Sequence, residues 1–282
     1  MPVVAADLPW LPPPATATVA FGFGEASAEG FYGGTEEVEL SFGAIDTEVA
    51  SLRVTYSLTD NLAVDAGMGE ETGQAQVLGS VNGETGALAG LIWRLVNEQV
   101  SPGAPSVALR VGWLGEGSYN AERVHARGPG VGGYDASISI GKVFREALSF
   151  SATLGGRMHE DPIPAVMTAE VTAALLMQPA TLDRILGGME GGVILRASYR
   201  REFSTGDLDI ADPYTPKLRP SEFPELAREY SRGGVGMAIA AGALEVSAEA
   251  FRYMGGRNVG NFTGVAARAT LKADLATLLG LL

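Results

Sequence analysis

The chain has 282 residues, with 20 Lys and Arg against 33 Asp and Glu for a formal net charge of −13, 38 glycines and no cysteine. The lack of cysteine excludes a disulfide scaffold and a thiolate metal site, and basic residues scattered singly among acids exclude nucleic acid as a partner. The longest apolar runs, around Gly233 to Leu244 and Thr172 to Leu182, are about half of the roughly 20 residues that a membrane-spanning helix needs.

In chain order, the start MPVVAADLPWLPPP lacks the basic and long apolar regions of an intact signal peptide, and Val4-Ala5-Ala6 before Asp7 reads as the remnant of a cleavage site in an exported chain. Residues 1–14, Pro-rich from Asp7 to Pro14, are expected to form a periplasmic segment ahead of a single β domain over residues 15–282. That domain is read from a two-residue alternation, the period of a strand. It is plain where Ala50, Leu52, Val54, Tyr56 and Leu58 alternate with Ser51, Arg53, Thr55 and Ser57, and again where Tyr134, Ala136, Ile138 and Ile140 alternate with Asp135, Ser137, Ser139 and Gly141. Twelve strands are predicted: Thr16 to Ala26, Glu48 to Leu58, Asn61 to Gly69, Thr85 to Leu95, Ser106 to Leu114, Gly133 to Phe144, Ala147 to Arg157, Ala165 to Leu175, Gly192 to Phe203, Gly233 to Ala241, Ala243 to Phe251 and Thr263 to Ala273. Glu36 to Ala44 alternates as well and is placed as an extension within the first long loop.

The connections alternate in length. Thr59-Asp60, Arg145-Glu146 and Gly242 are tight turns, whereas Glu70 to Glu84, Gly115 to Gly132 and Ser204 to Arg232 are long. Val96 to Pro105 and Met177 to Gly191 are longer links at the short-turn end, the second with a helical turn expected at Pro179 to Leu186. An even strand count with short turns at one end and long loops at the other describes an all-β, up-and-down antiparallel transmembrane barrel of the bacterial outer membrane.

Alternation also fits a soluble β protein with its apolar face turned inward, and the polar face separates the two readings. A narrow lumen favours small residues and paired charges, and here that face is mostly Gly, Ser and Thr, as in Ser149, Ser151, Thr153 and Gly155. Charges within the strands are placed on that face: Arg53, Asp65, Arg94, Arg110, Asp135, Glu170, Arg196, Arg200, Glu245, Glu249, Arg268 and Lys272. A basic residue facing mid-membrane lipid costs roughly 2 to 4 kcal/mol, so membrane lipid is read as the partner of the apolar face. Tyr56, Trp93, Trp113, Tyr134 and Tyr199 are expected in interfacial girdles.

The segment YSLTDNLAVDAGM, Tyr56 to Met68, resembles a hairpin often written YGLTDRL in a broad group of bacterial outer-membrane barrel proteins of transporter type. Ser57 stands where that group usually has Gly, Asn61-Leu62 where it often has Arg-Leu, and LLGLL at Leu282 where such barrels commonly end in an aromatic residue. The resemblance implies a porin-like transport barrel.

Nothing points to covalent chemistry, and no catalytic residue, metal or cofactor is assigned. His125 and His159 are read as loop residues, and Glu160-Asp161 after His159 departs from the His-x-Ser-Asn-Gly arrangement of outer-membrane phospholipases. GPGVGG, Gly128 to Gly133, precedes a strand and lacks the helix and Lys-Ser/Thr of a phosphate loop, as does Gly141-Lys142. Asp207, Asp209 and Asp212 lack the remainder of a calcium loop and read as a solvated acidic loop. Ser221 to Arg232, with Pro224 in its first turn, is expected to form a helical turn over the outer mouth. The twelve lumen charges are the candidate site. They suit a narrow channel or transporter for small polar or anionic solutes, with the six arginines orienting anionic groups. The alternative is a structural barrel that scaffolds a periplasmic or surface-exposed protein, gripped by Asp7 to Pro14 or held by the long loops.

Overall fold

The computed structural model describes residues 8–33, 36–40, 43–75, 79–118, 131–160, 163–178, 191–209 and 225–274. Its barrel strands in chain order are β1 (Thr16–Ala28), β4 (Ile45–Ser57), β5 (Leu62–Ala75), β6 (Gly79–Glu84) with β7 (Leu88–Val96), β8 (Ser106–Leu114), β9 (Gly133–Phe144), β10 (Leu148–His159), β11 (Val166–Met177), β12 (Gly191–Ser204), β13 (Glu229–Ala241), β14 (Leu244–Arg257) and β16 (Thr263–Asp274). Each pairs antiparallel with its neighbours, β16 returns to β1, and β4 pairs with both β1 and β5, which closes a ring of twelve with β6 and β7 counted as one strand. Closure leaves the spanning part without an unpaired edge, as lipid requires. Thr16 and Asp274 sit together at the short-turn, periplasmic end.

β8 and β9 have the bounds expected from the sequence, and the others differ mainly at their outer ends. The expected loop Glu70 to Glu84 is largely a hairpin, because β5 continues to Ala75 and pairs there with β6. Above the lipid the outer wall meets water, so Glu70 and Gln74 occupy outward positions and the apolar contrast fades while the strand continues. Between the registers Glu70↔Glu84 and Gly67↔Leu88, two residues of β5 face three of the partner. This bulge turns at Gly86, whose φ of +80° favours glycine. The expected loop extension is β3 (Glu36–Glu39), which joins β2 (Gly30–Gly33) and β15 (Val259–Gly260) in a small sheet separate from the barrel. Of the helical turn expected at Ser221 to Arg232, Glu225 lies in a 3-10 turn, but from there the chain is extended: Leu226 bridges to Leu208, and Glu229–Arg232 opens β13, where Tyr230 stacks on Tyr253 at 4.5 Å. Pro179 to Leu186 lies outside the described residues.

The outer wall is apolar and exposed, with Phe21 60%, Leu154 62% and Val235 65% accessible, which inverts the pattern of a water-soluble core. Trp113 and Tyr134 are register partners near the outer end and Trp93 lies near the periplasmic end, as the girdle expectation requires. The expectation that strand charges keep to one face needs correction at the ends. Glu25, Glu48, Glu70, Arg201 and Arg252 face outward, each eight residues along its strand from Ala17, Tyr56, Leu62, Val193 or Leu244 respectively. At about 3.4 Å per residue and a tilt near 40°, that spacing is about 21 Å along the membrane normal. The charges therefore mark the upper border of the apolar belt. At the other border the Lys142 ammonium, also of outward parity, reaches back to the Pro102 and Ala104 carbonyls.

Met237, outward and four residues from Ala241, is near mid-belt. Met237→Arg is expected to lower stability by roughly 2 to 4 kcal/mol, and Met237→Leu to leave it nearly unchanged, in urea unfolding of the chain folded into vesicles.

Candidate functional site

The twelve charges expected to face inward have inward parity, and the structure gathers most of them into two networks. In the first, Asp65, Gly90, Gly112 and Asp135 form one register row across β5, β7, β8 and β9. The Arg110 guanidinium lies over the two glycines, with Nε 3.2 Å from both Asp65 oxygens and a terminal nitrogen on Asp135. Arg53 reaches the same Asp65 carboxylate, with Nε 3.0 Å from Oδ2. A Cβ on Gly112 would enter the Asp135 carboxylate and stand 2.8 Å from the Arg110 guanidinium, so a side chain there would displace the ion pairs.

The second network spans β12 to β14. Arg196 donates to Glu245 at 2.8 Å, Arg232 to Glu249 at 2.7 Å, and the Ser198 hydroxyl to the same Glu249 at 2.6 Å. Gly234 lies between Ser198 and Glu249 and again leaves the space their contact occupies. Arg200 pairs with Glu202 at 3.2 Å and is the register partner of Glu170. The Nε groups of Arg200 and Arg232 have no protein acceptor. Arg268 lines the same space from β16, and Arg232 packs over the Phe251 ring at 4.0 Å. Lys272 is lower on β16, and Arg94 lies buried at the periplasmic end, donating to the Asp60 carbonyl.

Between the networks is a chamber of about 690 Å³. Its walls include Ser51, Ser149, Ser151, Thr153, Thr172 and Ser198, with arginines 53, 196, 200, 232 and 268 and Glu170 and Glu249. Towards the outer mouth Tyr253 packs with Phe262, Ile45, Ala26, Ala28 and Ala75 in an apolar layer inside the barrel.

Towards the periplasmic end the chamber meets the chain's own N-terminal stretch. Leu8 and Leu11 pack on the inward side chains of Ala63, Ile92 and Ala108, Pro9 is fully buried, and Trp10 lies against Gly141 with its indole N–H donated to Glu98 at 2.6 Å. Glu98 also accepts the Val143 amide at 3.0 Å. Residues 8–12 were expected in a periplasmic segment and instead sit on the inner wall; Asp7 lies outside the described residues. The apolar residues Leu8, Trp10 and Leu11 within a proline-rich stretch were the available signal. Arg232 was missed because it was assigned to a helix, and Ser198, Phe251 and Tyr253 because neutral inward residues carry no charge signal.

Among the described residues the other candidates gather no chemistry. His159 ends β10, while His125, Asp161, Asp212 and Gly128 to Gly130 lie outside the described residues. Asp209 is held by Arg257 at 2.8 Å, and among the described residues no acidic or histidine group could hold a metal.

Solved structures share this architecture. An outer membrane channel from Pseudomonas putida F1 superposes with a TM-score of 0.72 at 14% identity, covering 96% of this chain and 100% of that one. The β domain of the Bordetella autotransporter Brka gives 0.52 at 13% identity over 92% and 99% of the two chains. The NanC porin gives 0.50 at 7% identity over 90% and 98%. The fold is that of the bacterial outer-membrane barrels. No family model and no curated protein matches the sequence.

Asp65, whose side chain is fully buried between two arginines, is expected to be the most sensitive member of the first network. Asp65→Asn leaves Arg110 buried without its shared carboxylate and should cost about 3 to 5 kcal/mol in urea unfolding. A second change, Arg110→Gln, should recover part of that loss.

Proposed function

We propose that the protein is a narrow outer-membrane channel for small anionic solutes, closed towards the periplasm by its own residues 8–12. The observation that carries this reading is the chamber wall, where five arginines project among small hydroxyl residues inside a chain whose overall charge is −13. Arg53, Arg196, Arg200 and Arg232 are each paired with a carboxylate, and guanidinium groups so held at the wall of a low-dielectric channel still present N–H donors to anions. The carboxylates of Asp65, Asp135, Glu245 and Glu249 hold the guanidinium groups in place, and the partly exposed side chains of Arg200 and Arg232 face the chamber, where a passing carboxylate or phosphate meets them. The likeness to the Pseudomonas putida channel supports the same reading.

One observation favours a second reading. The first ionic network and the N-terminal stretch pack against the inner faces of β5 to β9, as a structural barrel that scaffolds a periplasmic or surface protein would allow.

Planar-bilayer recording under a salt gradient separates the two readings. The full chain is expected to show small anion-selective steps, and a chain beginning at Ala15 steps several-fold larger. Arg200→Gln with Arg232→Gln should remove the anion preference. Folded barrels that stay silent even without residues 1–14 would overturn the channel reading in favour of the scaffold.

A further inference from the structure

We infer that Arg201 and Arg252 form a binding site on the outside of the barrel for the phosphorylated headgroup of an outer-leaflet lipid. Both side chains face the lipid-side surface and are exposed. Both stand at the upper border of the apolar belt, where the acyl region of the outer leaflet gives way to its headgroups.

Their pairing state sets them apart from the arginines of the interior. Arg53, Arg110, Arg196, Arg200 and Arg232 each hold a carboxylate. Among the described residues no carboxylate forms an ion pair with Arg201 or Arg252, which leaves both guanidinium groups open to an anion from outside the chain. At a membrane surface, anionic headgroups attract an outward guanidinium. Free anions in water would not select this depth, but a phosphate anchored by acyl chains is held there.

The local geometry suits that occupant. Arg201 is steadied against the wall by the Phe203 ring, 4.9 Å from its guanidinium carbon, and by Ser231, whose hydroxyl lies 3.4 Å from a terminal nitrogen. Arg252 stands on the far side of β13, in register with Gly233, while Arg201 is in register with Ser231. Two strand spacings put their backbones about 10 Å apart, and the strand between them presents Ser231 and Gly233, the latter covered by the Met254 side chain and flanked by Tyr199. Directly below, Leu195, Val235 and Val246 are exposed and offer an apolar track for acyl chains. At the same height beyond β16 the outward charges are Glu25 on β1, two strands from Arg252, then Glu48 on β4 and Glu70 on β5, which repel a phosphate. The barrel rim is therefore polarised, and the basic arc on β12 to β14 is where an anionic headgroup docks.

Native mass spectrometry of the full chain with bisphosphorylated lipid A tests this. Two lost cations near an anionic headgroup correspond to roughly thirtyfold weaker binding, so Arg201→Gln with Arg252→Gln should reduce the retained adduct by about that factor. Each single variant should fall between, which keeps the test valid if the double variant folds poorly. Wild type should bind lipid A without phosphates as weakly as the double variant binds the phosphorylated form, and inorganic phosphate should not displace the lipid. Lys142→Gln, which removes a cation at the opposite border, should change nothing. Equal binding by wild type and double variant, equal binding of the dephosphorylated lipid, displacement by inorganic phosphate, or an equal loss in Lys142→Gln would each overturn the site. Bilayer conductance should be the same in wild type and the Arg201 and Arg252 variants, so this proposal stands apart from the channel reading.

Discussion

A backbone in hydrocarbon has no water to satisfy its N–H and C=O groups, so every strand must have a partner on both sides. In this chain that demand is met where β4 pairs with both β1 and β5, over twelve and thirteen register positions. Once the ring closes, each strand has one face in lipid and one in the lumen, and the two-residue alternation becomes a division between solvents. Exposed phenylalanine, tryptophan and methionine are then the stable outer surface, and the polar residues are confined to a space only twelve strands wide.

That confinement explains the glycines on the inner wall. An inward arginine is too long to lie flat against a wall of side chains. At Gly90, Gly112 and Gly234 the wall has none, and the ion pairs occupy the space where Cβ atoms would otherwise be. The inner charges are thereby satisfied one against another, and the two networks stiffen opposite sides of the barrel. What is left between them is a chamber with arginine and hydroxyl groups, bounded by an aromatic layer on one side and by residues 8–12 on the other. The outward charges obey the same solvent logic: they appear only where the lipid belt ends.

Much of this was legible in the sequence, and the reason is physical. Where one face meets lipid the contrast between faces is steep, so β8 and β9 could be bounded correctly and the inward parity of Asp65, Arg110 and Arg196 read from their neighbours. Above the membrane both faces meet polar surroundings, and there the reading failed: the hairpin of β5 and β6 looked like a loop, and Glu229–Arg232 looked like a helix. Pairing was not legible either. That Arg110 spans two strands to join Asp65 with Asp135 depends on register, and register depends on how the barrel closes. The seating of Trp10 beside Gly141 and Glu98 joins residues far apart in sequence, and no local pattern could have disclosed it.

The small polar face lines an aqueous interior while the apolar face meets lipid. Because the chain has no cysteine, single cysteines can be placed at Ser151 and at its neighbour Phe150 and probed with a small anionic thiol reagent in intact vesicles. The account predicts that Ser151→Cys is labelled and that Phe150→Cys reacts only with a lipid-soluble reagent. Labelling of the Phe150 position by the anionic reagent, with Ser151 protected, would contradict it.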